Sequence, residues 1–222
     1  MHRFPNKPRL ENGPQTTGTT IHWASHYDIV SGLLGLGSNG ANSRMVIELA
    51  KVEPGARVLD VGCGTGSLTL TAQSYAGPSG KVYGIDAAPE MIEAAKKKAS
   101  RSGSEVVFDV GLIEKLAFPD ATFDVVISRL AMHHLPDDLK RRGLTEILRV
   151  LKPGGNLLIA DFKPPINPIL NHITSALVGS HMMQTDIWSL PPMLAGAGFA
   201  EITSGPTRSA FLAFVGGKKP GN

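Results

Sequence analysis

Residues 58–68 read VLDVGCGTGSL. An apolar strand runs through Asp60, glycines follow at 62, 64 and 66, and a helix opens at Ser67. Glycine lets the chain turn tightly and lets a ligand approach the backbone, next to the unbonded N–H groups of a helix N-terminus. Strand, glycine turn and helix together place a nucleotide-like ligand in a doubly wound fold. The spacing narrows the ligand. Dinucleotide sites use G-x-G-x-x-G and seat a pyrophosphate on the helix end. Here the pattern is D-x-G-x-G-x-G, with Ser67 where the third glycine of that motif would fall. A carboxylate at Asp60 repels a pyrophosphate and attracts an ammonium group. A ligand with an amine, a ribose and a base but no phosphate fits, and S-adenosylmethionine (SAM) is such a ligand. The same spacing disfavours an NAD-dependent oxidoreductase.

Working outward, the next strand, GKVYGID (80–86), ends in Asp86, where a carboxylate can accept both ribose hydroxyls. Ala87, Ala88 and Met91 follow, and Met91 can pack on an adenine face. PEMIEAAKKKASRS (89–102) is a helix with Pro89 in its first turn and Glu90 at the positive end of the dipole. SEVVFDVG (104–111) is a third strand, after which backbone groups near Leu112, Ile113 and Glu114 can read the adenine edge. A fourth strand is expected over 121–130 and a fifth over 156–162. Between them a helix over 137–155 is stopped by Lys-Pro-Gly-Gly. Upstream, 21–52 reads as one or two helices, broken by a Gly/Ser/Asn stretch at 37–43, with 44–51 amphipathic. Downstream, 185–199 reads as a short helix and 200–219 as two strands joined by a Gly-Pro turn. Strands alternating with helices predict an α/β fold. It is a Rossmann-like doubly wound sheet of about seven strands with helices on both faces. The sheet is mostly parallel, with one antiparallel strand near the C-terminus, and an N-terminal helical lid is expected.

Bulk composition bounds the rest. The chain has 222 residues, 42% apolar and 18% charged, enough for one packed domain. We expect a flexible arm at 1–20, one domain over 21–217 and a tail at 218–222. Within the domain, 21–43 forms the lid and 163–198 caps the acceptor pocket. The net charge is +3, and Lys96, Lys97 and Lys98 read as a solvated helix face rather than a nucleic-acid footprint. The single cysteine, Cys63, excludes an intrachain disulfide and a cysteine metal site. The N-terminal stretch lacks the apolar core of a signal peptide, and the longest apolar runs are too short to span a membrane. A cytoplasmic protein with no nucleic-acid partner and no membrane span is expected; monomer and homodimer both stay open.

Four stretches share the order and spacing of one family. VLDVGCGTGSL, VYGIDAAPEMIEAAKKKA, LAFPDATFDVVISRLAMHHL and EILRVLKPGGNLLIADF resemble the class I SAM-dependent methyltransferases over residues 44–162. Within that class the chain is most similar to the ubiquinone/menaquinone-biosynthesis-like small-molecule methyltransferases of the type 11 domain. HWASHYDIVSGLLGLG (22–37) also resembles that group, whose N-terminal helix folds over the cofactor. The resemblance implies that Asp60, Gly62, Gly64 and Gly66 bind the methionine end of SAM, with Cys63 inside the same turn. It implies Asp86 with Ala87 at the ribose, and Met91, Leu112, Ile113 and Glu114 around the adenine. Ser128 would lie under the sulfonium, Arg129 and His133 would complete the site, and Tyr27 would cap it. Many relatives carry aspartate at the position of Leu112, so adenine recognition here falls to backbone groups and apolar packing. The product would be S-adenosylhomocysteine. Trp23 and Tyr27, four apart on a helix, suit packing as well as capping.

RLAMHHLPDD (129–138) carries the acceptor chemistry. Adjacent side chains diverge, so His133 and His134 are poor ligands for one metal ion, and no metal is expected. A general base and plain packing remain for the two rings, with His133, nearer the strand end, the better base. Asp161, ending the fifth strand, is either a pocket lip or a loop carboxylate. Residues 167–188 supply apolar side chains, with His172, His181 and Trp188, to a pocket. FKPPI (162–166) follows the wrong strand for an amino-group DNA methyltransferase motif. The expected activity is methyl transfer to a small, fairly apolar acceptor, O- or C-methylation of a quinol-, phenol- or lipid-like molecule. Alternatives are N-methylation of a small amine or phospholipid head group, or a SAM-binding module without catalysis.

Overall fold

The structure, a computed structural model, describes residues 40–163, 187–209 and 212–221. The expected arm, most of the lid with Trp23 and Tyr27, and the cap residues 164–186 with His172 and His181 lie outside these.

Helix α1 (Gly40–Leu49) leads into β1 (Arg57–Val61), α2 (Ser67–Ala76), β2 (Lys81–Asp86), α3 (Pro89–Ser102), β3 (Val107–Val110) and β4 (Phe123–Arg129). A 3-10 turn (Met132–His134) precedes α4 (Asp137–Val150) and β5 (Leu151–Phe162). A second 3-10 turn (Ile187–Ser189), α5 (Leu190–Ala197), β6 (Ala200–Pro206) and β7 (Leu212–Lys218) follow. The seven strands form one sheet in the order β3-β2-β1-β4-β5-β7-β6. Pairing is parallel from β3 through β5, and β7 runs antiparallel to both of its neighbours.

Alternation along the strands splits the core between two faces. Val58, Val82, Val125 and Ile127 pack with α1, α2 and α3 through Val46, Ile47, Ala72 and Ala95. Leu59, Val61, Ile85 and Val126 pack on the other face with α4 and α5 through Leu144, Ile147, Leu190 and Leu194. A trio of edge-on aromatics, Tyr83, Phe118 and Phe123, with centroids 4.9–5.7 Å apart, closes the second face at its β2 side. Sequence order reverses between β1 and β4, so the crevice where ligands bind in such sheets opens at the carboxyl ends of these two strands.

Three boundaries differ from the sequence reading. The helix after β4 stops at Val150, and Lys152–Gly155 already belong to β5. Leu151 is fully buried and pairs with Phe123, and the register then shifts before Val125 meets Asn156, so Lys-Pro-Gly-Gly bulges the strand instead of ending the helix. Gly205 and Pro206 lie inside β6, paired with Phe214 and Ala213. Proline is tolerated there because β6 is an edge strand. Residues 40–43, expected in a break, form the first turn of α1, where Ser43 is buried. Among the described residues no helix is long and apolar enough to cross a membrane.

Candidate functional site

The glycine turn is locked to the end of β2. The N–H groups of Gly62 and Cys63 both donate to the Ile85 carbonyl at 2.9 Å, and Gly66 N–H donates to the Cys63 carbonyl at 2.9 Å. Gly64 N–H donates to Asp86 Oδ2 and Ala88 N–H to Asp86 Oδ1, each at 2.9 Å. Asp86 thus ties the turn to the start of α3, a structural duty that its position in the sequence did not reveal. Burial pushes its carboxyl pKa up against these N–H bonds.

The glycines differ in what they make room for. A side chain on Gly66 (φ 79°) would strike the Phe108 ring at 2.6 Å, and one on Gly62 would strike Ala131 Cβ. Gly62 therefore lets the loop after β4 close on the loop after β1. At Gly64 (φ 53°) a Cβ meets no atom within 4 Å among the described residues, so this glycine borders open space.

Asp60 is 1% exposed. Thr69, one turn into α2, donates to its Oδ2 at 2.7 Å, while Oδ1 is buried and has no hydrogen-bond partner among the described residues. Burial raises its pKa to about 7, opposed by the Thr69 bond and the Arg129 charge and helped by the Asp86 charge. A buried acceptor oxygen of this kind suits an ammonium group. Arg129, at the end of β4, donates to Ser43 of α1 at 2.9 Å. That link joins the helix before the core to the site and was not visible in the sequence. Ser128 is fully buried and donates to the Val61 carbonyl at 2.8 Å, stitching β4 to β1. The Cys63 thiol is buried, and its pKa is pushed well up by burial and by the Asp60 and Asp86 charges, so it is no nucleophile.

Met91 and Ile113 are buried, whereas Ala87, Leu112 and Glu114 are half-buried. Leu112 bridges to Lys115 in a tight loop. Ile113 sits against Gly143 of α4, where a Cβ would come within 2.6 Å of it. The loop is further held by Glu146, which accepts from Leu116 N–H at 2.9 Å and pairs with Arg149 at 2.8 Å.

Across the crevice, His133 is 6% exposed and its Nδ1 lies 2.6 Å from Asp161 Oδ1. The same carboxylate accepts from the backbone N–H of His133 at 3.1 Å and of Phe162 at 2.7 Å. Burial pushes the Asp161 pKa up, but the His133 charge and these bonds outweigh it and hold the group below the usual carboxylate range. The two imidazoles lie with centroids 3.9 Å apart, their planes tilted by 43°. His134 is half-buried, and burial, helped by the His133 charge, lowers its pKa to about 4. Of the two sequence readings of Asp161, a loop carboxylate is excluded, since it is 2% exposed and bonded to His133.

A seven-stranded sheet in this order, with D-x-G-x-G-x-G at the reversal of strand order and a half-buried acid ending β2, has the architecture of the class I SAM-dependent methyltransferases. A family model described as a methyltransferase domain matches residues 52–191. Ubiquinone/menaquinone biosynthesis C-methyltransferases of Ectopseudomonas mendocina and Azotobacter vinelandii are each 33% identical to the chain. The first alignment covers 98% of this chain and 93% of its relative, the second 89% and 87%. The crystal structure of a SAM-dependent methyltransferase from Aquifex aeolicus superposes with a TM-score of 0.64 at 26% identity, covering 80% of this chain and 89% of that one. The chain therefore belongs to the class I SAM-dependent methyltransferases, within the methyltransferase-domain family.

Proposed function

We propose that this methyltransferase acts on a small, fairly apolar acceptor of quinol or phenol type, at oxygen or at an adjacent ring carbon. The observation that carries this reading is the end-to-end likeness, at 33% identity over 98% of the chain, to an enzyme named as a ubiquinone/menaquinone biosynthesis C-methyltransferase. Bound SAM supplies an activated methyl group on a sulfonium. What falls to the chain is to bind it, align the acceptor, exclude water and move one proton.

Asp60 takes the ammonium on Oδ1, with Arg129 setting the charge balance beside it. The open face of Gly64 admits the ligand, while Gly62 and Gly66 hold the walls. Asp86 accepts the ribose hydroxyls on the lone pairs left by Gly64 and Ala88, next to Ala87. Met91, Ile113, Leu112 and Glu114 border the adenine, whose edge is read by backbone groups. Ser128 and Cys63 line the floor. His133 and His134 face the acceptor across the crevice. The lid at 21–43, with Tyr27, and the cap at 163–198 complete one domain over 21–217. Of the expected cap, residues 187–198 are described: Ile187, Leu190 and Leu194 are buried in the core face with α4, and Trp188 is 40% exposed.

The test is transfer of a 13C-methyl group from labelled SAM to a panel of short-chain demethylated quinols, phenols and primary amines, with NMR assigning the methylated atom. Methylation at ring carbon or hydroxyl oxygen is expected. His133→Ala and His134→Ala should slow turnover while the Kd for SAM changes by less than about threefold. Transfer to amines alone would overturn the acceptor class. Tight SAM binding with no turnover on any acceptor would make the chain a binding module.

A further inference from the structure

Three residues on one face of α4 reach the loop between β3 and β4. They stand at Gly143, Glu146 and Arg149, a spacing that stacks them along one side of a helix. Glycine weakens a helix interior, yet a larger residue at 143 would meet Ile113: a Cβ there would lie 2.6 Å from its Cγ1 and 2.8 Å from its Cδ1. The helix is notched to seat that side chain. Glu146 and Arg149 hold the peptide groups beyond it. Glu146 Oε2 accepts from the Leu116 N–H at 2.9 Å. Arg149 donates to the Leu116 carbonyl at 2.9 Å and to the Phe118 carbonyl at 2.8 Å. It also donates to both Glu146 oxygens, at 2.8 and 2.9 Å, and to Asp120 at 2.7 Å. The bonds from Arg149, against burial and with help from the Leu116 N–H, hold the Glu146 carboxyl below its usual range.

The loop leaves β3 beside the cofactor turn. Gly111 N–H donates to the Asp86 carbonyl at 3.0 Å, and the carboxylate of the same Asp86 accepts from Gly64 of the turn. At the other end Ala121 and Thr122 donate their N–H groups to the Arg149 and Val150 carbonyls at 3.1 and 2.7 Å. Both ends are pinned by backbone bonds. The α4 side chains fix the middle, where Leu112 bridges to Lys115, whose N–H donates to the Leu112 carbonyl at 3.2 Å. Leucine at 112 offers a base no polar side-chain group, so a base edge here meets backbone N–H and carbonyl groups. Such groups discriminate only when their order and position are fixed. Adenine presents an amino donor beside a ring-nitrogen acceptor, whereas hypoxanthine presents a carbonyl acceptor beside a ring N–H donor. A rigid backbone pair matched to the first is mismatched to the second.

We propose that Gly143, Glu146 and Arg149 are positioning residues for base selectivity, holding the 112–116 loop so that its backbone accepts adenine and rejects hypoxanthine. This rests on the proposal that residues 112–114 border the adenine. The three act through Ile113 and Leu116 rather than on the cofactor.

The test is isothermal titration with S-adenosylhomocysteine, S-inosylhomocysteine and methylthioadenosine, which lacks the amino-acid end. The wild type should favour adenine over hypoxanthine by about tenfold or more. Glu146→Ala removes the acceptor of Leu116 and the partner of Arg149, and should reduce that preference to less than about threefold. The cost of omitting the amino-acid end, read from methylthioadenosine, should stay within about twofold of wild type. Glu146→Gln, whose amide oxygen still accepts from Leu116, should keep the adenine preference within about threefold of wild type. Gly143→Ala drives Ile113 from its notch; it should repeat the selective loss and serves as the measurement if Glu146→Ala does not fold. A merely structural role weakens all three ligands alike, so an unchanged adenine preference in Glu146→Ala overturns the assignment. If the wild type binds both bases equally, the placement of 112–114 at the adenine fails first and this assignment with it.

Discussion

Replacing Asp60 by asparagine tests how the fold carries a charge it does not need for stability. The folded pKa of Asp60 is about 7 against an ordinary 3.8, chiefly because of burial. Between these values the native chain holds a proton that the unfolded chain has released. Wild-type stability without ligand therefore falls as pH rises from about 4 to about 7 and levels off above. Each unit in that window corresponds to about 1.4 kcal/mol. Asparagine does not titrate and still accepts the Thr69 hydroxyl. The stability of Asp60→Asn relative to wild type should therefore grow by about 2 kcal/mol from pH 5 to pH 7, less than two full units because the native carboxyl is half-titrated at pH 7. Urea unfolding of the ligand-free proteins at both pH values measures it, with SAM titration alongside. The variant should become relatively more stable with pH while binding SAM at least tenfold more weakly. A stability difference that does not change between pH 5 and 7 would refute the burial argument. Unaltered SAM affinity would remove Asp60 from the binding site.

The glycine pair separates packing from ligand contact. Gly66→Ala should destabilise by about 2–4 kcal/mol in thermal or urea unfolding, because the new methyl meets Phe108 at 2.6 Å as well as a left-handed φ. Gly64→Ala, whose new methyl meets no described atom within 4 Å, should cost only about 1 kcal/mol of stability yet weaken SAM binding by tenfold or more. For Cys63, whose thiol is buried and pushed up in pKa, labelling by iodoacetamide at pH 7.5 should be slow in the folded protein and fast in urea. Fast labelling of the native chain would contradict its burial.

Legibility in the sequence followed range. The glycine turn, the acid ending β2 and the helix opened by Pro89 are each encoded within a few neighbouring residues, and they appear where their patterns put them. Lys-Pro-Gly-Gly was misread because its breakers look alike whether they stop a helix or bulge a strand. What decides is the buried pairing of Leu151 with Phe123, which local sequence does not contain. The His133–Asp161 bond joins residues 28 apart and depends on the β4–β5 register, which puts Arg129 opposite Ala160. A lone aspartate closing an apolar run beside the histidine loop was the only hint. Arg129 to Ser43 spans 86 residues and left no trace at all.

The order of the last strands couples synthesis to chemistry. β7 follows β6 in the chain but lies between β6 and β5 in the sheet, so neither β6 nor the free side of β5 has a partner until β7 has been made. When β7 docks, Ala213 pairs with Asp161 and Leu212 with Phe162. A nascent or truncated chain lacking 212–218 therefore has its cofactor turn encoded but the backbone under its histidine unsupported. Such a chain would be spared an early, half-built activity, at the expense of a bare β5 edge that invites pairing with other chains.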